Sequence, residues 1–132
     1  VLDASAVIAY LDKEPGNEQV VDLLEKAGDG RATLFVAAVN WGEILYAVEN
    51  ARGAEKREEV ELTLASHPIE VVEVGQALAK RAARLKAQKK LPYLDCFVVA
   101  LAEERRATLV TCDKDFQRVE KEVKVVWIRS TP

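Results

Sequence analysis

The sequence predicts one α/β domain, a central and mostly parallel β-sheet of about five strands flanked by helices, and three observations carry that expectation. Short β-rich runs alternate with longer stretches of helical periodicity along the chain. Those runs are rich in Val, Ile and Leu rather than alternating apolar with polar, which is the pattern of strands covered on both faces. At 132 residues the chain is long enough for one real core, and no internal repeat, low-complexity tract or linker divides it, so a single domain is expected over 1–132.

The elements follow in order. A first strand ends at Asp3, and a helix with Ser5 as its N-cap is expected to run to about Lys13, where "KEPGN" breaks it. A second helix spans Asn17 to Ala27 and stops at Gly28. "TLFVAAV" (33–39) is the next strand. "NWGEILYAVENARG" opens with Asn40 as cap, sets Trp41, Ile44, Leu45 and Val48 on one face and ends at Gly53. "AEKREEVELTLAS" is a charged, solvent-facing helix ahead of Pro68, and "IEVVEV" (69–74) is a strand. "GQALAKRAARLKAQKK" places Leu78, Ala82 and Leu85 on one stripe. "LPYLDCFVVALAEERRA" is the last long helix and feeds the strand "TLVTC" (108–112), with "VKVVWI" (123–128) closing the set.

Composition excludes several classes of function. An apolar fraction of 49% and a charged fraction of 31% are those of an ordinary globular protein. No run reaches the ~18 apolar residues of a membrane span, and no secretory signal is visible, so a cytoplasmic protein with no membrane partner is expected. The chain does not begin with Met, which leaves room for a residue or two of the first strand ahead of Val1. Cys96 and Cys112 are too few for a disulfide framework, and with His67 as the one imidazole they cannot build an ordinary four-ligand zinc site. Net charge is −3, which argues against coating nucleic acid through bulk positive charge. Four acids, Asp3, Glu43, Asp95 and Asp113, account for −4 of it and leave +1 for the rest, so a divalent cation among them would remove the discrepancy.

Asp3 sits inside an otherwise apolar run, and a buried carboxylate costs several kcal/mol unless it is paired. Asp3 and Asp113 each stand where an apolar strand ends, the place where ligands bind in an open parallel sheet. Each of the other acids has a local explanation. Glu43 lies three residues after Asn40, a capping box in form; Asp95 answers a helix dipole; Asp113 and Asp115 are turn residues in "CDKDF". The relative positions of Glu43 and Asp95 are not readable from spacing.

Taken together, "VLDASAVIAYL", "NWGEILYAV", "LDCFVVALA" and "LVTCDKDF" occur in the order and over the length that resemble the PIN-domain ribonucleases, and within them the VapC toxins of bacterial and archaeal toxin–antitoxin pairs. The resemblance covers essentially the whole chain. It implies an endoribonuclease dependent on Mg²⁺ or Mn²⁺, with Asp3, Glu43, Asp95 and Asp113 around the metal and Asp115 fitting the motif as a further candidate. Ser5 and Thr111 would orient the carboxylates or a bound water. It also implies an RNA substrate, a cognate VapB-type antitoxin and a homodimer, for which the Trp41, Ile44, Leu45 and Val48 stripe is the candidate surface. Many family members carry Ser or Thr shortly before the third acid, where this chain has Tyr93, a departure that bears on substrate preference.

Oxygen-only ligands suit Mg²⁺ or Mn²⁺, and a hard cation can carry phosphodiester hydrolysis without a side-chain nucleophile. The cations Lys80, Arg81 and Arg84 share one side of their helix while Lys86 and Lys90 lie on another, so a solvated face is preferred over an RNA stripe. Trp41, Tyr10 and Tyr93 are read as packing residues rather than base platforms. A receiver domain would carry an acidic pair after strand one, and a haloacid-dehalogenase-type phosphatase Asp-x-Asp there; "DAS" offers neither. Two alternatives stay open: an RNA-processing PIN nuclease with no toxin role, and a PIN fold that has lost its metal and binds protein.

Overall fold

In the computed structural model, which describes residues 1–128, the apolar runs form short strands and the periodic stretches form helices. The order is α1 (Ala4–Leu11), α2 (Asn17–Gly28), β1 (Leu34–Ala37), α3 (Ala38–Arg52), α4 (Ala54–Ala65), β2 (Ile69–Val72), α5 (Gln76–Gln88), α6 (Tyr93–Arg105), β3 (Leu109–Thr111), a 3-10 helix (Lys114–Val119) and β4 (Val125–Trp127).

The expectation of about five strands in one sheet is corrected. Among the described residues four strands form two parallel pairs, β1 with β2 and β3 with β4. Val1–Asp3 makes only an isolated parallel bridge, Leu2 to Val110. The backbone nevertheless connects the pairs: Leu2 N–H donates to Phe35 O at 2.9 Å, Val110 N–H to Val1 O at 2.8 Å and Asp3 N–H to Val110 O at 3.2 Å. The segment is too short to count as a strand because Asp3 turns at once into α1.

Strand side chains alternate between two cores. Leu34 and Val36 of β1 pack with Leu2, Val7, Val20, Ile44, Val60 and Leu64, whereas Phe35 and Ala37 pack with residues of α5 and α6. The pleat sends successive residues to opposite faces. Both faces are therefore covered, α1 to α4 supplying one core and α5 and α6 the other. In α6 the whole run Asp95–Ala102 is buried, the pattern of a helix surrounded by protein. Asp95 thus rides on an element that cannot turn without repacking the core.

Two caps differ from expectation. α1 starts at Ala4 with Asp3, not Ser5, as N-cap, its carboxylate accepting from Ala6 N–H. α3 starts at Ala38, so Asn40 lies inside the first turn and caps nothing. No helix among the described residues is long and apolar enough to cross a membrane. Cys96 and Cys112 are free thiols.

The two glycines of the α3 region make opposite demands. Gly53, between α3 and α4, has φ 92° and ψ 171°, a conformation reserved for glycine, whereas Gly42 is helical with open space where a Cβ would stand. Gly53→Ala is expected to lower unfolding free energy by ~1–2 kcal/mol. Gly42→Ala is expected to raise it by up to ~1 kcal/mol. Urea denaturation of both variants checks the pair, and the same sign for both would contradict the assignment.

Candidate metal centre

The site begins with Asp3, which is only 3% exposed. Its carboxylate accepts from Ser5 Oγ at 2.8 and 2.9 Å, from Thr111 Oγ1 at 2.7 Å and from Ala6 N–H at 2.9 Å. Thr111 Oγ1 in turn accepts from Asp113 N–H at 2.9 Å, and Ser5 Oγ from Cys112 N–H at 3.2 Å. Buried carboxylates need such partners. The same bonds splice the start of α1 to the end of β3 and to the loop that follows it.

That loop is "TCDKDF". Phe116 is fully buried and anchors it, while Asp113 caps the 3-10 helix by accepting from Asp115 N–H at 2.9 Å. Asp113 and Asp115 are left half-buried beside Asp95, and one carboxylate oxygen from each of the three lies within 4.8 Å of the others. Asp115, which the sequence offered as a secondary candidate, is in the tightest trio. Asp3 and Glu43 stand outside it, yet the charge of Asp113 acts on both.

Glu43 reaches the cluster from α3. Asn40, expected as a helix cap, instead donates from Nδ2 to Leu94 O at 3.0 Å and to Glu43 Oε1 at 3.5 Å. Asn40 thereby ties α3 to the first turn of α6, next to Asp95. Its Oδ1 is buried without a partner, which costs about 1–3 kcal/mol in the absence of water. Sequence reasoning missed this role because the partner carbonyl is 54 residues away.

Electrostatics describe a site short of positive charge. Burial pushes the Asp3 carboxyl up to about 6, against the hydrogen bonds of Thr111, Ala6 and Ser5 that lower it. Burial, and then the charges of Asp113, Asp3, Glu43 and Asp115, push Asp95 up to about 7. Glu43 is raised as well, chiefly by burial. Among the described residues no Lys or Arg pairs with Asp3, Glu43, Asp95 or Asp113, and Arg118, at the edge, is 3.7 Å from Asp115. Clustered carboxylates without a counter-charge destabilise one another. An oxygen-only donor set of this charge fits a hard divalent cation, with Asp95, Asp113 and Asp115 as its nearest holders.

The raised values fix the sign of a pH dependence. Asp3 and Asp95 keep their protons in the folded chain where the unfolded chain, near 3.8, has lost them. Their contribution to stability is complete below the unfolded value and is lost as pH rises through about 6 and about 7. The urea midpoint of chelator-treated protein is therefore expected to fall between about pH 4 and 7. Asp95→Asn should flatten the fall, and millimolar Mg²⁺ or Mn²⁺ should reverse it by binding the folded state. A midpoint that rises over that window in chelator would contradict the picture.

The sequence matches the PIN domain family over residues 1–122. No curated protein sequence matches the chain significantly. Among solved structures it is similar to a toxin–antitoxin complex from Klebsiella pneumoniae, at TM-score 0.72 and 17% identity over 98% of each chain. It is also similar to VapBC2 from Rickettsia felis bound to a DNA fragment from its promoter, at TM-score 0.73 and 18% identity over 95% of each chain. DNA-bound VapBC from Salmonella typhimurium gives TM-score 0.73 at 16% identity, covering 95% of this chain and 94% of that one. At those identities the structures establish a shared fold. With the family match spanning nearly its whole length, the chain belongs to the PIN-domain family.

Proposed function

We propose that the protein is a Mg²⁺- or Mn²⁺-dependent endoribonuclease of the VapC type, a cytoplasmic toxin restrained by a cognate VapB-type antitoxin. The observation that carries this reading is the set of carboxylates on Asp95, Asp113 and Asp115, within 4.8 Å of one another and, among the described residues, without a basic partner for the first two. A PIN fold used only as a protein-binding module has no need of them, and their repulsion would be a standing cost. An RNA-processing nuclease with no toxin role would share the site; the toxin–antitoxin complexes among the structural neighbours favour the toxin reading.

Asp95, Asp113 and Asp115 would hold the cation, with Asp3 and Glu43 beside them as further ligands or as acceptors for its waters. The bound ion would supply a Lewis acid for the phosphate and a water of lowered pKa. The chain's own work is positioning. Ser5 and Thr111 donate to Asp3 and hold its oxygens in one orientation. Asn40 fixes Glu43 and the first turn of α6 relative to each other. Buried Phe116 keeps the Asp113 and Asp115 backbone from relaxing away.

A homodimer is part of the same reading. Ile44 is buried within the chain and drops out of the candidate surface, leaving Trp41, Leu45 and Val48, which are half-buried, with Tyr46 exposed beside them.

Purified protein is expected to cut single-stranded or loop RNA with Mg²⁺ or Mn²⁺ and to stop in chelator. Asp113→Asn should remove activity while circular dichroism stays unchanged. Glu43→Gln should cost ~10–100-fold in activity or metal affinity. Stability should move by no more than about 1 kcal/mol, since Glu43 caps no helix. Full activity in chelator would overturn the reading.

For the antitoxin, an anionic pocket is most economically filled by an Arg whose planar fork takes two carboxylate oxygens. Inhibition should then weaken along a Mg²⁺ series more than along a monovalent series of equal ionic strength. Identical series, or no effect of replacing the antitoxin's Arg by Ala, would point to blockage of the RNA path instead.

A further inference from the structure

Beside the carboxylates lies a cluster of opposite sign that is dispersed in the sequence. An open recess of about 590 Å³ is lined by Lys86, Lys89 and Lys90 at the end of α5, by Leu91 and Pro92, and by Arg118 and Asp115 of the 3-10 helix. Asp115 is common to the recess and to the carboxylate trio, so the two adjoin. Lys89 is neutralised by Glu122 at 2.6 Å. Lys86 Nζ donates to Leu91 O at 2.8 Å, one terminal nitrogen of Arg118 donates to Lys90 O and lies 3.7 Å from the Asp115 carboxylate, and Lys90 is exposed with no carboxylate paired to it among the described residues.

Resting on the ribonuclease reading, we propose that Arg118 and Lys90, with Lys86 behind them, form a subsite for a backbone phosphate of single-stranded RNA next to the bond that is cut. Half of the Arg118 side chain is exposed, so its fork retains free donors that suit a phosphate oxygen pair. Lys86 and Lys89 also answer the carbonyl end of α5, a purely structural use of charge. That use does not account for Lys90 or for the unspent donors of Arg118. The alternation of sign chooses the ligand. A peptide that covered both would have to be basic at the carboxylates and acidic at the recess, whereas a polyanion with one phosphate on the bound cation has its neighbour at the recess with no change of sign.

The test compares the full chain with Lys90→Gln, Arg118→Lys, and the double variant Lys90→Gln with Arg118→Gln. Lys80→Gln with Arg81→Gln, on another side of α5, serves as control. Cleavage and fluorescence anisotropy are measured on one single-stranded RNA oligonucleotide in Mg²⁺ across a monovalent salt series. The double variant is expected to raise KM and Kd about tenfold with kcat changed far less, and to reduce the slope of log K against log salt by about 0.7 for each phosphate no longer neutralised. Lys90→Gln should show half of that effect at unchanged Tm, which keeps the test valid should Arg118→Gln disturb the loop. Arg118→Lys should recover the slope better than the affinity. Unchanged KM, Kd and slope in the double variant, with cleavage still abolished by Asp113→Asn, would overturn the subsite and leave the ribonuclease standing. Should the wild type cut no RNA, anisotropy still decides: Kd and slope that depend on Lys90 and Arg118 support a phosphate subsite, and independence overturns it. Tighter binding of a polyglutamate peptide than of RNA, dependent on the same two residues, would overturn it in favour of an acidic protein partner.

Discussion

The buried carboxylate of Asp3 is the interaction on which the rest depends. It caps α1 through Ala6 N–H, and through Ser5 and Thr111 it joins that helix to the end of β3. The bond from Thr111 Oγ1 onward to Asp113 N–H extends the network into the loop that presents Asp113 and Asp115. One side chain therefore supplies a helix cap, the seam between chain segments 108 residues apart and the floor of the acidic site. The requirement that a buried charge be surrounded by donors forces these features together.

The same requirement explains the tension in the site. Asp3 is satisfied by hydrogen bonds and still titrates high, at about 6, because burial outweighs them. Among the described residues Asp95 lacks even that support, and it is held against its neighbours by a helix whose run Asp95–Ala102 is buried throughout. The fold thus spends stability to keep carboxylates close, as preorganised sites do. Folding energy comes from elsewhere, from two cores separated by strands whose alternating residues feed each in turn.

Charge in the neighbourhood is segregated on a short length scale. The 3-10 helix contributes Asp115 to the acidic side and Arg118 to the basic side within three residues. The loop between α5 and α6, gripped through the Leu91 and Lys90 carbonyls by Lys86 and Arg118, sets the border. A surface of that kind discriminates by pattern more than by total charge, consistent with a net charge of only −3.

By itself the sequence determined the alternation of strand and helix, the covering of the strands on both faces, and the placing of Asp3 and Asp113 at strand ends, because these follow from local periodicity and from where apolar runs stop. It also carried the motif order that identifies the family. Two caps were misread for different reasons: Asp3, two residues before Ser5, takes the cap of α1 and the Ser5 hydroxyl with it, whereas Asn40 is drawn to the Leu94 carbonyl, a partner 54 residues away that no local rule sees. The five-strand expectation failed because Val1–Asp3 passes directly from a single bridge into α1. Only the tertiary structure decided that Asp95, Asp113 and Asp115 come together, that Glu43 is close enough to feel the charge of Asp113, and that Arg118 joins Lys90. Those distances depend on how helices pack across the sheet, and packing is a property of the whole chain rather than of any window along it.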